Sequence, residues 1–366
     1  MKIKCCFVNA IFLLTLIYFT INVTECYGQQ GFTFFTLNIN EVDTKIYFKV
    51  KPKQQIGERK ILIKQINKEF EFGGEDDTTM NFPTRISTDA SGNIYLLDQM
   101  SRSIKIYSKS GKFIGSYGRK GNGPGEFNFA TEFSITSNGD IYVLDNSAKR
   151  VTIFGKKVST FQLSNSSFPL KICPIGNNKI ICLKSDFGKI DLLDIYTIGE
   201  KDKYSVSSII DESSKPKGSF TFSSVLDGEL INLEHDRFVH IPRYFNHIYF
   251  YNKGRLESAI TTIDRETNPK LEMSFNMQGG GSKDRALRNY DTNLRTFLLG
   301  EQLYILSVPA TSIDNGIIFD VYEILDGTYI SSIKLMPNSK FIQLHLTKKK
   351  LYLLTDDFKI KVYSYK

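Results

Sequence analysis

Apolar and polar residues alternate in short runs along most of the chain, the period of half-buried strands rather than of helices. The clearest runs occur twice. Gly92-Asn93-Ile94-Tyr95-Leu96-Leu97-Asp98 is followed by Ser103–Phe113, and Gly139-Asp140-Ile141-Tyr142-Val143-Leu144-Asp145 by Arg150–Lys157. Ile94, Tyr95, Leu97 and Asp98 fall on Ile141, Tyr142, Leu144 and Asp145 at one spacing of 47 residues. Four short strands per period, joined by turns such as Ala90-Ser91-Gly92 and Lys109-Ser110-Gly111, predict a propeller blade.

The same period organises the rest. Blade one opens at Phe82 and ends at Tyr117, and blade two spans Phe129–Leu163. Phe168-Pro169-Leu170-Lys171-Ile172 opens blade three, repeating Phe82-Pro83-Thr84-Arg85-Ile86 at a distance of 86 residues. Arg237–Ile241 and His247–Tyr251 are the second and third strands of blade four. Gln302–Leu306, Ile317–Ile324 and Tyr329–Leu335 belong to blade five. Phe341–Leu346, Leu351–Thr355 and Ile360–Tyr363 leave blade six one strand short. A strand within Ile61–Glu71 is expected to complete it, hiding edges that an open sheet would expose. The expectation is an all-β, six-bladed β-propeller over residues 81–366, with residues 29–80 an N-terminal extension that contributes the closing strand; seven blades is the alternative count.

Composition agrees with strands: Phe (28) and Tyr (19) are abundant among 366 residues, and Trp is absent. The net charge of +8 is spread among acidic residues, apart from short clusters such as Lys348-Lys349-Lys350. Dispersed charge describes a solvated basic surface and does not predict a nucleic-acid partner. The Gly-rich stretch Gly118–Phe127 lacks a Gly-Lys-Ser/Thr ending and a following helix, so it is a link between blades and not a phosphate loop.

Lys2 and Lys4, the apolar run Cys5–Val23 and Cys26-Tyr27-Gly28 form a signal peptide, residues 1–28, with cleavage after Gly28. An uncleaved membrane anchor and a lipid on Cys26 are the alternatives, and membrane contact is expected only through them. Cleavage would remove Lys2, Lys4 and Glu25 and leave +7. Beyond this leader stand two cysteines, Cys173 and Cys182. A two-residue turn at Asn177-Asn178 would set them directly opposite each other, giving either a disulfide or two small buried apolar residues.

Pro83–Ile86, Asp89–Asp98, Ile104–Tyr107 and Gly121–Phe127 together resemble the NHL-type six-bladed propellers, and the link Gly123–Phe127 is similar to secreted propellers of Bacteroidetes-type bacteria. The close resemblance covers about 80 residues, Phe82–Leu163. It implies the fold and leaves function open, since such families include binding scaffolds as well as lyases and lactonases. The family's Asp is present as Asp98 and Asp145, replaced by Lys184 in blade three and by Ile241 in blade four, which marks it as a fixer of strand ends rather than a catalytic group.

The four histidines, His235, His240, His247 and His345, have no metal-ligand spacing, and no Ser/His/Asp arrangement stands out. No cofactor is expected, although channel carbonyls could hold a structural calcium ion. One position does vary informatively. Arg85, Glu132 and Lys171 precede the first apolar residue of the innermost strand in three successive blades, and Arg295 and Gln343 are the looser equivalents in blades five and six. Charge around a channel mouth suits a protein, peptide, glycan or other polar ligand; alternatively these are merely wet positions that tolerate charge. The insertion 266–292, with Gly279-Gly280-Gly281-Ser282, is either part of that binding face or a solvated loop. The expected function is a secreted or periplasmic, non-enzymatic binding module using the channel face. The alternative is a lactonase-like hydrolase or lyase with a channel-bound divalent metal.

Overall fold

Six sheets, each built on four antiparallel strands, surround one axis in the computed structural model. It describes residues 26–27, 33–34 and 49–366, apart from 165–166, 177, 186–191, 201–202, 210, 212–226, 235, 244, 265–292, 309 and 312–315. The leader and the insertion 266–292 therefore lie outside the described residues, save for Cys26–Tyr27.

Blade one comprises Pro83–Thr88, Ile94–Asp98, Ser103–Tyr107 and Phe113–Tyr117, and blade two Ala130–Ile135, Ile141–Asp145, Arg150–Phe154 and Val158–Gln162. Blade three is Phe168–Ile175, Lys179–Ser185, Leu193–Thr197 and Lys203–Ser205; blade four is Gly228–Glu234, Arg237–Pro242, His247–Asn252 and Arg255–Thr261. Blade five holds Asn293–Leu298, Gln302–Ser307, Ile317–Glu323 and Tyr329–Leu335. Blade six holds Gln343–Leu346, Lys350–Leu354 and Lys359–Tyr365, and Ile66–Gly73 completes it in antiparallel register, Gly73 opposite Lys359. The ring closes as expected.

Because both faces of each sheet meet a neighbour, the strands carry apolar residues on both sides. The described core divides into six clusters, one at each blade interface. Between blades one and two, for example, Leu97 and Ile104 pack on Phe133, Ile141 and Val143, all buried. Each such side chain contributes about 1.5–3 kcal/mol when removed from water.

The repeated aspartates hold the blades' ends. Asp98 is fully buried and accepts hydrogen bonds from the backbone N–H groups of Asn81 (2.6 Å), Phe82 (3.2 Å) and Ser101 (2.9 Å). Asp145 does the same for Asn128 (2.8 Å), Phe129 (3.1 Å) and Ala148 (3.2 Å). Each thus ties the entry of the inner strand to the turn after the second strand. That turn contains a non-glycine residue in the left-handed region in both copies, Arg102 (φ 53°) and Lys149 (φ 49°). In blade three the slot opposite Pro169 holds Lys184, whose ammonium meets Asp194 at 2.9 Å; Lys203 reaches the same carboxylate at 2.7 Å. The charge is inverted and stays buried. In blade four the slot opposite Gly228 belongs to Pro242, not to Ile241, because that blade's inner strand has its register shift between Asn232 and Glu234 rather than at its entry, where the first three blades have theirs.

Two features depart from the sequence reading. The extension does more than close the ring. Residues from Lys49 onward run along the outer rim, with Lys53 bonded to Ala259 and Thr261, Lys60 to Ser332 and Lys64 to Lys334. Ile61–Ile63 adds a fifth, parallel strand to blade five. Arg59 pins this strap: its guanidinium meets Asp320 through Nε (3.0 Å) and Nη2 (2.9 Å), and Asp264 through Nη2. Both carboxylates are buried.

The second correction concerns Cys173 and Cys182, which are not bonded to each other. Ile175 pairs with Lys179, so the register lies one residue away from the one a two-residue turn at Asn177-Asn178 would give, and Cys182 faces Ile172 while Cys173 faces Ile181. A one-residue slip sends a side chain to the opposite face of a strand. Cys173 consequently joins the core shared with blade four, and Cys182 the core shared with blade two. Burial raises both thiols to about 12.

Two outcomes follow. Mass spectrometry after maleimide treatment without reductant should find Cys173 and Cys182 unlabelled in the native protein and both labelled in denaturant. A mass lower by two hydrogens, with no labelling, would restore the disulfide. Asp145→Ala strands buried backbone donors and should lower stability by about 2–4 kcal/mol, read as a lower denaturation midpoint at unchanged m-value.

Candidate ligand-binding channel

Innermost strands bring equivalent positions of all six blades toward the axis. The residue opposite the position just before the Asp slot, or its equivalent in blade six, is Arg85 (opposite Leu97), Glu132 (Leu144), Lys171 (Leu183), Glu229 (Ile241) and Gln343 (Leu354). In blade five Thr296 faces Ile305, which gives the slot to Arg295. All five residues proposed from sequence therefore occupy one tier, and the structure adds Glu229. Around the axis the charges run positive, negative, positive, negative, positive, neutral.

These side chains pair across blade boundaries. Arg85 Nη2 lies 3.2 Å from Glu132 Oε2, and Lys171 Nζ lies 2.9 Å from Glu229 Oε1. Arg295 Nη1 shares that Glu229 oxygen at 3.5 Å. The five are 12–24% exposed, so they are recessed yet wet. Burial alone would raise the Glu229 carboxyl, but Lys171 and Arg295, with Arg85 farther off, overcome it and bring it down to about 2. Glu132 is the largest influence on Arg85 and holds its guanidinium above the ordinary value against the cost of burial; Glu229 and the Asp227–Arg243 pair act more weakly. Pairing of this kind fixes geometry, and its net energy is the small difference between attraction and desolvation.

A second group lies two to three residues farther along the strands on the blade-six side. His345 Nε2 and Thr88 Oγ1 are 3.0 Å apart, Phe297 stands edge-on to the imidazole at 5.4 Å, and the Arg295 guanidinium lies 6.0 Å from the Phe297 ring centre. Burial, and after it Arg295, lowers His345 to about 3, keeping it neutral. His240 and His247 are buried away in blade four, where His247 Nδ1 meets Tyr249 Oη at 2.8 Å. His235 lies outside the described residues. Among the described residues, no three His, Cys, Asp or Glu side chains converge as metal ligands, and no helix is long and apolar enough to cross a membrane.

Glu229 escaped sequence reasoning because blade four has no Pro-x-x-Ile opening. In blades one to three the charged residue stands two positions after the residue facing the Asp slot, whereas Glu229 directly follows Gly228. The available signal was Glu229 standing directly before the apolar pair Leu230-Ile231.

A family profile described as 6-bladed beta-propeller (DUF5128) matches residues 73–322, more than half of the chain, and the protein belongs to that family. Among solved structures, a DUF4221 family member from Bacteroides vulgatus is 11% identical over 85% of this chain and 99% of its own, with a TM-score of 0.53. A candidate exported protein from Bacteroides fragilis is 10% identical over 86% and 98%, with a TM-score of 0.50. Virginiamycin B lyase from Staphylococcus aureus is 11% identical over 82% and 99%, with a TM-score of 0.46. Likeness to the two Bacteroides structures establishes the fold alone. No curated protein matches the sequence.

Glu229 makes the ring pH-sensitive. Its carboxyl is lower in the folded chain than its ordinary value of 4.5, so its contribution is complete above that value and lost as pH falls toward about 2. Across that window the loss should be on the order of 3 kcal/mol. Glu229→Gln should be less stable than the parent at neutral pH and the difference should vanish near pH 2; chemical denaturation at several pH values measures it.

Proposed function

We propose that this propeller is an exported, non-enzymatic binding module whose ligand enters the channel mouth and contacts the tier of Arg85, Glu132, Lys171, Glu229, Arg295 and Gln343. The observation that carries this reading is that five of the six equivalent inner-strand positions are charged, part-exposed and prearranged by ion pairs. The scaffold does not need charge at that tier, since the blades are held by apolar clusters and by the buried aspartates. Preorganised polar groups in a recess lower the ordering cost of binding and fix a ligand's orientation. Export is supported by the leader-type pattern of residues 1–28 and, as analogy, by the description of the Bacteroides fragilis relative of similar fold.

Thermal-shift screening of peptides and oligosaccharides, against the parent and an Arg85→Gln/Lys171→Gln variant, tests the assignment. A ligand of the channel should stabilise the parent and lose at least tenfold in affinity for the variant, with unchanged circular dichroism. Ligands that stabilise both proteins equally would remove the tier from the function.

A further inference from the structure

The alternation of charge around the axis has one interruption. Arg85, Glu132, Lys171, Glu229 and Arg295 follow each other with opposite signs, and Gln343 stands where the next acid would fall, between Arg295 and Arg85. Among the described residues, both flanking arginines form their ion pairs with blades other than blade six. Arg85 has Glu132 at 3.2 Å. Arg295 has Glu229 at 3.5 Å, through an oxygen that already accepts from Lys171 at 2.9 Å. The nearby Asp227–Arg243 pair acts on Arg85 more weakly than Glu132 does. His345, on the same strand as Gln343, is held neutral and engaged by Thr88, so it supplies neither a compensating charge nor a competing one.

We propose that this gap is a carboxylate subsite: a ligand carboxylate, lying between Arg85 and Arg295 beside Gln343, supplies the sixth charge of the ring. Guanidinium groups suit this chemistry because their paired N–H donors match the two oxygens of a carboxylate, and the Gln343 amide adds a neutral donor. The Phe297 ring backs Arg295 and limits the directions it can turn. This inference rests on the channel-binding reading above and adds the charge and class of the group that is bound.

NMR titration of the intact protein with sodium acetate and sodium succinate, against sodium chloride at matched ionic strength, tests it through the Arg Nε–H signals. Saturable shifts are expected for Arg85 and Arg295, with a millimolar dissociation constant, and at least tenfold weaker binding in Arg295→Gln. Gln343→Glu places the missing acid within the chain. It should raise the thermal midpoint without any ligand and weaken succinate at least tenfold. A lower midpoint for Gln343→Glu, or succinate binding equal to the parent's, would overturn the subsite. A screened ligand that needs Arg85 and Lys171 but binds Gln343→Glu undiminished would leave the channel reading standing and remove only the carboxylate. Absence of any channel ligand together with silent arginine signals would remove both.

Discussion

Closure of six wedge-shaped sheets around one axis is the constraint on which the rest of this molecule depends. Radial packing makes every blade face a buried one, so the strands are apolar on both sides and the six interface clusters carry the stability. It also drives the six innermost strands toward each other, and the residues at one height then face across a narrow, partly wet space. Like charges there would repel strongly at reduced dielectric, whereas opposite charges on neighbouring blades compensate. The ring from Arg85 to Arg295 obeys that rule, and Gln343 is where it lapses.

The division between scaffold and variable chemistry is consistent through the repeats. Asp98 and Asp145 are the most conspicuous repeated acids, and both are consumed by backbone N–H groups at the blade ends. Blade three reaches a comparable buried arrangement with the signs exchanged, through Lys184 and Asp194. Recurrence in this fold therefore reports packing and turn geometry. The ring tier behaves oppositely, because its six positions are equivalent in place and differ in kind.

Much of this was legible in the sequence because a 47-residue period, once seen, transfers position by position. The closing strand could be located from the deficit in blade six, and Arg85, Glu132 and Lys171 from the residue before the first apolar position of each inner strand. What stayed hidden involves spacing that a period cannot carry. Blade four carries its bulge at the far end of the inner strand instead of at the entry, which displaces Glu229 and moves the Asp slot from Ile241 to Pro242. The cysteine hairpin pairs one residue out of the expected register, which parts Cys173 from Cys182. The strap along the rim was invisible because its bonds are mostly main-chain, and main-chain hydrogen bonding leaves no side-chain pattern; among its described side chains Arg59, clasped by Asp264 and Asp320, and Gln55, bonded to Gly327 and Tyr329, mark its course.

The seam in blade six has a consequence for how the molecule is made. Gly73 and Lys359 pair within one sheet although nearly the whole described chain lies between them. Blades one to five can form from contacts near in sequence, but the ring stays open until the strand Lys359–Tyr365 has been synthesised and meets Ile66–Gly73. Pairings of such long separation carry the largest loop-closure entropy and form slowly. Until then the two unpaired edges of the seam remain exposed, and the channel tier, which needs blade six beside blade one, exists only in chains that have finished closing.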